Sequence, residues 1–239
     1  MASNNPIIYA VRMNDSPVRY QSKFPLVEVV AHASSLSQEQ KKVHLENGRV
    51  LDDACESSIS HLNPWWGELT AVHWLLQQSL SGIIGNAQYR RRWDDESLQS
   101  AKEGTLYLFE PCIFPFSLDV QFRGGHSFPG VEMSRELAGQ GRLPLTIEEL
   151  DATWSQPRFQ GGPMALAEVC IYKQLMSILF ECLWPIWLMY EDQIRGLSGY
   201  DMRAMAFLSE RLLSGIVLYH KKFLGSTPVE FFPLHGCGL

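Results

Sequence analysis

The stretch from Gly82 to Trp93, "GIIGNAQYRRRW", joins an apolar run to a cluster of three arginines. The apolar run, Gly82–Ala87, predicts a buried strand. In α/β sheets ligands bind at the carboxyl ends of strands, and planar guanidinium groups grip phosphate bidentately. Tyr89 and Trp93 could stack on a base or a sugar ring. The stretch therefore predicts an anion site, with a solvated turn paired to the acidic run Asp94–Glu96 as the alternative.

Composition places these arginines in an otherwise acidic chain. The 239 residues are 46% hydrophobic and 19% charged, with a formal net charge of −6. This length suits one sizeable α/β domain or two small ones. An acidic chain lacks the basic face that nucleic-acid binding requires, so we expect no nucleic-acid partner and treat the arginines as local chemistry.

Cysteine usage and hydropathy indicate a cytoplasmic chain. The five cysteines are scattered and include no C-x-x-C pair, which disfavours a disulfide framework or a zinc site. The N-terminus shows no secretory signal pattern. The most apolar segment, 170–190, is interrupted by Lys173 and Glu181, and its longest uncharged tract has nine residues. Because a bilayer span needs about 20 residues, we expect at most peripheral membrane association.

Apolar periodicity divides the chain into alternating strands and helices. Predicted strands cover residues 6–11, 24–33, 82–87, 105–110 and 163–173. Predicted helices cover residues 63–78, a segment after Asp94, the vicinity of 133–137, and residues 146–154, 174–184 and 201–219. The alternation predicts an α/β fold in one domain over residues 1–239, with a mostly parallel central sheet and helices on both faces. The Pro-, Gly- and Phe-rich stretch 112–160 predicts a binding surface.

Motifs of several common enzyme classes are missing from the sequence. It contains no Walker loop, no G-x-G-x-x-G after a strand, no G-x-S-x-G and no H-E-x-x-H, and its seven histidines are spread singly. These absences disfavour a kinase, a Rossmann dehydrogenase, an α/β-hydrolase and a zinc protease.

The tract 58–93, "SISHLNPWWGELTAVHWLLQQSLSGIIGNAQYRRRW", resembles the signature of an uncharacterised glycosyltransferase-like family from capsular and exopolysaccharide gene clusters. Members of that family typically read N-I-S-x-x-N-x-x-x-x-E-L-T-A, followed by an apolar strand that ends in G-L-x-H-Y-R-R. The matching positions here are Ser58, Asn63, Glu68–Ala71, Trp74 and Tyr89–Arg91.

Two later stretches continue the resemblance in the same order. "LDVQFRGGH" is similar to the family's Q-Y-x-x-x-H, and "DMRAMAFLSERLL" is similar to its R-x-x-G-Y-L-x-E-R-L. The positions involved are Gln121, Phe122, His126, Arg203, Glu210 and Arg211. The chain departs from the pattern at Gln88 (for His), Arg12-Met13 (for His-Lys), Phe122 (for Tyr) and Ala167-Glu168 (for Asn-Met). These departures bear on substrate and activity more than on fold.

The resemblance implies a glycosyltransferase-A-like fold and a transferase, of the hexosyltransferase type. It would move a sugar from a nucleotide-sugar donor, a UDP-sugar by expectation, to a growing lipid-linked bacterial surface polysaccharide. Such an enzyme would work in the cytoplasm, at the inner face of the membrane. The alternatives are a catalytically inactive nucleotide- or sugar-binding relative, and a structural interaction protein, which would leave the arginines unexplained.

The resemblance also bears on metal use. Many nucleotide-sugar enzymes hold a divalent ion against the donor diphosphate with a D-x-D motif at a strand end. Here Arg90 and Arg91 occupy that place and could supply the positive charge themselves, so no metal cofactor is expected. Asp94 and Asp95 keep a Mg²⁺ or Mn²⁺ alternative open.

Candidate roles follow from the resemblance and from strand position. The predicted donor-binding residues are Tyr9, Arg12, Glu68, Gln88, Tyr89, Arg90, Arg91 and His126. Glu168, Asp201 and Asp192 are candidates to take the proton of the acceptor hydroxyl, and Glu168 is favoured because it lies at a strand end near the presumed site. Gln121, Arg203 and Glu210 are predicted to contact the acceptor or to brace the site. A structural role at a helix start for Glu68 and an ordinary loop position for His126 stay open.

Overall fold

A computed structural model describes residues 5–233, 235 and 236. Its strands are β1 (Ile7–Arg12), β2 (Leu26–Val30), β3 (Val50–Leu51), β4 (Ile83–Gln88), β5 (Arg91–Arg92), β6 (Leu106–Phe109), β7 (Cys112–Ile113), β8 (Arg158–Phe159), β9 (Ala165–Glu168), β10 (Val229–Phe232) and β11 (His235–Gly236). Its helices are α1 (Gln38–Glu46), α2 (Asn63–Trp66), α3 (Leu69–Gln77), α4 (Asp95–Ser100), α5 (Leu118–Gly125), α6 (Gly130–Gly139), α7 (Ile147–Ser155), α8 (Val169–Arg195), α9 (Ala204–Leu218) and α10 (His220–Leu224). Short 3₁₀ helices cover Ala33–Ser35, Ser60–Leu62 and Gly199–Arg203.

Two compact units divide the chain. The first unit contains the residues before Pro111, Met164–Lys173 and the residues from Thr227 onward, and the second contains Pro111–Pro163 and Gln174–Ser226. The large sheet and helices α1–α4 belong to the first unit, while the small β7–β8 sheet and most other helices belong to the second. The expectation of one domain over residues 1–239 stays a prediction.

The sheet of the first unit is mostly parallel, as the sequence predicts. Along its main path the strand order is β10-β6-β9-β4-β1-β2-β3. Every pairing on this path is parallel except those of β9, which runs antiparallel to both β4 and β6. A hairpin joins β4 to β5, and β5 also pairs with β11. The mixed α/β architecture confirms the predicted fold class.

Apolar runs explain why the central strands form. In β1 and β4 almost every residue is buried, which is the pattern of strands covered on both faces. Residues from several strands and from the segment after β5 form one core cluster, which contains Ile8, Ile83, Ala87, Trp93, Leu98, Tyr107, Phe109, Met164 and Leu166. Trp93 is 2% exposed, its ring stacks on Phe109 at 3.9 Å, and its Nε1 donates to the Asn86 carbonyl. The expectation that Trp93 stacks on a ligand is therefore corrected, because this ring is part of the core.

The predicted helix over residues 63–78 is broken into α2 and α3. Gly67 separates them with φ 54°, a conformation that L side chains rarely adopt. Asn63 lies inside α2 rather than capping it, and its Nδ2 donates to the Gly67 carbonyl (2.7 Å) and to Thr70 Oγ1 (3.1 Å). The Asn63 side chain therefore stabilises the break between the two helices.

The second unit buries much of the stretch that was predicted to be a binding surface. Leu118, Phe122, Leu137, Leu150 and Trp154 are each at most 3% exposed, so residues 112–160 contribute a helical core. Helix α5, which begins after Ser117, was not predicted from the sequence. The Ser117 hydroxyl caps it by accepting from the Val120 backbone N–H.

Helix α8 has 27 residues and is long and apolar enough, by length and composition alone, to cross a membrane. Half of its most apolar window is buried inside the protein, which is also typical of a core helix. The predicted strand over residues 163–173 is shorter than expected, because β9 ends at Glu168 and α8 begins at Val169. Peripheral membrane association stays a prediction.

Candidate functional site

Three strand ends lie side by side in the first unit. β1 pairs in parallel with β4 on one side, where Val11 is opposite Gln88, and with β2 on the other, where Arg12 is opposite Val30. The first strand and the arginine strand therefore end at the same edge of the sheet. Ligands of α/β sheets bind at such an edge, outside the carboxyl ends of the strands.

The arginines lie in a tight hairpin at this edge, which we call the arginine hairpin (residues 88–92). Gln88 pairs with Arg91, so Tyr89 and Arg90 form the turn between the two strands. Arg90 is exposed, and its guanidinium carbon lies 5.7 Å from the centroid of the Tyr89 ring. The guanidinium carbon of Arg19 lies 6.0 Å from the same ring, and the Arg19 N–H donates to the Tyr89 carbonyl (3.0 Å). Two cationic side chains thus flank one aromatic ring.

The acidic residues that follow the hairpin have other partners. Asp94 caps α4, accepting from the Ser97 N–H (2.9 Å) and the Ser97 hydroxyl (2.5 Å). Asp95 accepts from the Ser22 hydroxyl (2.8 Å) and from the backbone N–H of Lys23. Within residues 5–233, no ion pair involves the guanidinium of Arg90, Arg91 or Arg92. This geometry disfavours the interpretation of the cluster as a self-neutralised turn.

The third arginine of the hairpin has a structural contact. Arg92 follows Arg91 in β5, so the two side chains leave opposite faces of the strand. The Arg92 guanidinium donates to the Gln21 carbonyl at 3.0 Å. Arg92 therefore fastens the hairpin to the segment that follows β1.

Arg12, a predicted donor-binding residue, is engaged inside the first unit. It is 5% exposed, and its guanidinium donates to Glu28 Oε2 (2.8 Å), the Asn14 carbonyl (2.9 Å) and the Met13 carbonyl (3.2 Å). Glu28 Oε2 also accepts from Arg49 at 2.8 Å. Burial acts to raise the pKa of Glu28, but the hydrogen bonds and charges of the two arginines hold that pKa below its ordinary value. These contacts make Arg12 a positioning residue for the loop after β1.

Glu68, Gln88 and Tyr9 have distinct placements. Glu68 stands at the start of α3 without capping it, and its Oε1 accepts from Gln88 Nε2 at 2.6 Å. This bond ties the helix start to the first residue of the hairpin. Tyr9 lies in the middle of β1, opposite Asn86, and its ring packs 6.4 Å from that of Trp74. Tyr9 is 7% exposed, and burial raises its pKa, so its ring is part of the core; its donor-binding role stays a prediction.

Glu168 lies at the opposite edge of the sheet from the arginines. Because β9 runs antiparallel to β4, Glu168 pairs with Ile83, the first residue of β4. Ile83 and Gln88 are five positions apart in an extended strand, a distance of about 17 Å. Glu168 Oε2 accepts from the Gly104 N–H at 2.6 Å. The expectation that Glu168 stands near the arginine site is therefore corrected.

In the second unit the structure brings together His126 and Asp201, which are 75 residues apart. His126 ends helix α5 as its C-cap, rather than lying in a glycine-rich loop. Its Nδ1 lies 3.0 Å from Asp201 Oδ1, and Asp201 Oδ2 accepts from both the N–H and the hydroxyl of Ser127. The carboxylate is thus fixed by three contacts.

The surroundings of His126 favour the neutral imidazole. Its side chain is 3% exposed, and its ring packs against Tyr200 (5.6 Å), Phe207 (4.4 Å) and Phe122 (4.7 Å). Burial lowers the pKa of His126; Asp201 opposes this shift and the charge of Arg211 adds to it. Burial would raise the pKa of Asp201, but its bonds to Ser127 and His126 lower it. A neutral imidazole bound through Nδ1–H presents Nε2 as an acceptor.

Gln121 and Glu210, predicted to bind the acceptor or to brace the site, meet at Arg211. The Arg211 guanidinium donates to Gln121 Oε1 (2.6 Å), Glu210 Oε2 (2.8 Å) and the Phe207 carbonyl (2.8 Å). Glu210 Oε1 accepts from the Gly162 N–H at 3.0 Å. This buried network is a brace. Arg203, the third residue of that prediction, is exposed at the end of the 3₁₀ helix before α9.

The described residues contain no group of three or more His, Cys, Asp or Glu side chains that could hold a metal ion. Asp94 and Asp95, the two candidate ligands, are bound to α4 and to the Ser22–Lys23 segment.

Three residues at the carboxyl edge of the sheet were not predicted from the sequence: Arg19, His32 and Asp52. Of these, Asp52 had a visible signal, because a carboxylate directly follows the short apolar pair Val50–Leu51.

Comparisons with known proteins agree with this architecture. A family model described as a domain of unknown function, DUF4422, matches residues 24–110. No curated protein matches the chain. Among solved structures, the chain is similar to WbbM, a bifunctional glycosyltransferase in its apo form, with a TM-score of 0.75 and 15% identity. The match covers 98% of this chain and 45% of that protein, so the chain spans less than half the length of WbbM. The chain thus has a glycosyltransferase-like α/β fold, which fits the family resemblance at this coarser level.

Proposed function

We propose that the chain is a glycosyltransferase that moves a sugar from a nucleotide-sugar donor to a growing, lipid-linked bacterial surface polysaccharide. The observation that carries this proposal is the arginine hairpin, which lies at the carboxyl edge of β4 with Arg90 and Arg91 unpaired to any carboxylate within residues 5–233. A fold shared with part of a glycosyltransferase supports it. A UDP-sugar donor, hexosyl transfer and a place at the cytoplasmic face of the membrane belong to the same proposal and follow from the family resemblance.

The arginine hairpin would hold the donor diphosphate. Transfer forms a bond between the acceptor oxygen and the sugar anomeric carbon and breaks the bond between that carbon and the diphosphate oxygen. The electron pair of the broken bond leaves with the nucleoside diphosphate. The guanidinium groups of Arg90 and Arg91 would stabilise that growing negative charge with charge-assisted hydrogen bonds, which are about twice as strong as neutral ones. Gln88, held by Glu68, fixes the first residue of the hairpin.

The acceptor hydroxyl must lose a proton during transfer. Glu168, Asp201 and Asp192, the candidates for its uptake, stay predictions. Within the second unit, the contact between Asp201 and Nδ1 of His126 leaves Nε2 of the imidazole as a hydrogen-bond acceptor.

Nucleotide binding to the hairpin tests the proposal most directly. We expect UDP, or another diphosphate from a panel of UDP, GDP, dTDP and CDP, to raise the melting temperature of the wild-type protein by mass action. The double variant Arg90→Ala/Arg91→Ala should bind that nucleotide at least 100-fold more weakly. Arg92→Ala is the control, because it removes one guanidinium group from the same hairpin at a side chain that binds the Gln21 carbonyl. Equal nucleotide affinity in the double variant and the control would refute the proposed site.

Metal dependence separates the arginine account from its alternative. Two fixed guanidinium charges equal the charge of one divalent ion, so we expect nucleotide affinity and sugar transfer to persist in EDTA. Loss of transfer in EDTA, with recovery in Mn²⁺ and a further loss in Asp95→Ala, would instead make the acidic pair a metal site. Nucleotide binding without any transfer, across a panel of glycan acceptors, would favour the inactive relative.

A further inference from the structure

The backbone of His32 has an uncommon conformation. With φ 62° and ψ 29°, it lies in the left-handed region, and among the described residues it is the only non-glycine residue with positive φ. An L side chain is disfavoured in this region, because its Cβ approaches the following carbonyl oxygen. A glycine would avoid that approach.

A buried carboxylate holds this conformation in place. Asp52 is 1% exposed, and its two oxygens accept from the His32 N–H (3.1 Å), the Ala33 N–H (3.0 Å) and the Ser60 hydroxyl (2.6 Å). The Ser60 hydroxyl oxygen in turn accepts from the Ser34 N–H at 3.0 Å. The backbone around His32 is therefore determined by groups other than its own side chain, which is how proteins keep a strained residue at a functional position.

His32 stands at the same sheet edge as the arginine hairpin. It lies just beyond β2, where the Ala31 N–H donates to the Arg12 carbonyl at 2.9 Å. β2 neighbours β1, and β1 neighbours β4. Two strand spacings, about 10 Å, separate the ends of β2 and β4. In doubly wound sheets a bound nucleotide places its phosphates at one strand end and its ribose at the end of a neighbouring strand.

The side chain of His32 is free to bind a ligand. It is half-buried, and its imidazole makes no hydrogen bond within residues 5–233. A neutral imidazole offers one donor and one acceptor, which suits ribose hydroxyls and the polar edge of a base. We infer that His32 binds the nucleoside part of the donor, while the arginine hairpin binds its diphosphate. This inference rests on the proposed function.

Two ligands separate the contributions of His32 and the hairpin. UDP presents both a nucleoside and a diphosphate, whereas inorganic pyrophosphate presents only the phosphates. We expect His32→Gly to lose at least tenfold in UDP affinity, measured by calorimetry, and to bind pyrophosphate as the wild type does. Arg90→Ala/Arg91→Ala should lose both ligands. The melting temperature of His32→Gly should be equal to or above that of the wild type, since the left-handed strain disappears.

The results of these binding measurements distinguish a failure of the proposed function from a failure of the inference about His32. If the wild type binds neither ligand, the proposed function fails. If the wild type binds both and His32→Gly binds UDP equally well, the inference about His32 fails while the proposed site stands. A second measurement needs no variant: UDP, but not pyrophosphate, should shift the imidazole proton resonances of His32 in the wild type. Unchanged resonances at saturating UDP would overturn the inference even if the glycine variant proved unstable.

Discussion

The arginines of the two units differ in what surrounds their charge. In the first unit Arg90 is exposed in a turn, beside the Tyr89 ring and without an ion pair within residues 5–233. In the second unit Arg211 is 3% exposed, lies between the rings of Phe122 and Phe159, and donates to three oxygen acceptors. The first arrangement leaves a guanidinium available to an anion from solution. In the second, the guanidinium is bound by oxygen atoms of the protein itself. The hydrogen-bond partners of an arginine, rather than the residue type, therefore indicate whether it can bind a ligand or instead stabilises the fold.

The largest expected effect is on the brace. Arg211→Met keeps much of the apolar volume but leaves Glu210 and Gln121 without their partner in a buried region. Breaking a buried pair in this way costs about 3–5 kcal/mol. Urea unfolding should show that loss, whereas Arg195→Met, which breaks an exposed i,i+4 pair with Glu191, should cost about 0.5 kcal/mol or less. Equal losses in the two variants would show that Arg211 is no more a brace than a surface arginine.

Low pH should reduce the free energy of unfolding, because three histidines with lowered pKa values resist protonation in the folded state. Burial lowers the pKa of His44, His73 and His126 below the ordinary value of 6.5. Below pH 6.5 the unfolded chain therefore takes up protons that the folded chain does not, and the free energy of unfolding falls as pH drops toward the folded pKa values. Each histidine that stays neutral contributes at most about 1.4 kcal/mol per pH unit.

The charge of Arg211 also affects the acid response, through the pKa of His126. The Arg211 charge helps to depress the pKa of His126, so Arg211→Met should raise that pKa in an NMR titration. Arg195→Met serves again as the control and should leave it unchanged. Stability that is constant between pH 7.5 and 5.5 would contradict the assignment of neutral buried histidines.

An intermediate effect is expected at Asp94, the acidic neighbour of the hairpin. Asp94→Ala removes the cap of α4 and should cost about 1 kcal/mol in urea unfolding. Asp94→Asn, which can still accept from the Ser97 N–H, should restore most of that loss. Nucleotide affinity should not change in either variant, because the carboxylate serves the helix rather than the arginines. A fall in affinity in both variants, including the one that keeps the cap, would return Asp94 to the ligand site.

Much of the first unit could be predicted from local sequence. Apolar runs locate β1 and β4, and parallel pairing of adjacent strands places their ends together. The direction of β9 has no local signature: the alternation of strand and helix suggested a parallel strand, and its antiparallel direction carries Glu168 to the far edge. The break at Gly67 depends on a positive φ that helical periodicity does not report.

The second unit was harder to predict, because its contacts join distant segments. His126 and Asp201 are 75 residues apart and Gln121 and Arg211 are 90 apart, so no spacing rule links either pair. The family resemblance named Gln121, His126 and Arg211 without their partners, and Asp201 was a separate candidate for the catalytic carboxylate. Helix α5 escaped because glycines at its end suggested a loop, although Ser117 offered a cap signal at its start.

The smallest expected effect is on the free energy of unfolding when the arginines of the hairpin are replaced. It tests whether Arg90 and Arg91, unlike Arg211, contribute little to stability. Because Arg90 and Arg91 make no ion pair within residues 5–233, replacing both with alanine should change the free energy of unfolding by about 0.5 kcal/mol or less. Arg92→Ala loses its bond to the Gln21 carbonyl and should cost about 1 kcal/mol. The single variant is thus expected to be less stable than the double one, although only the double variant loses nucleotide binding. Urea unfolding of both variants, without ligand, checks the order. The reverse order would mean that Arg90 and Arg91 are bound within the fold, as Arg211 is, and that the hairpin has no free charge to offer a diphosphate.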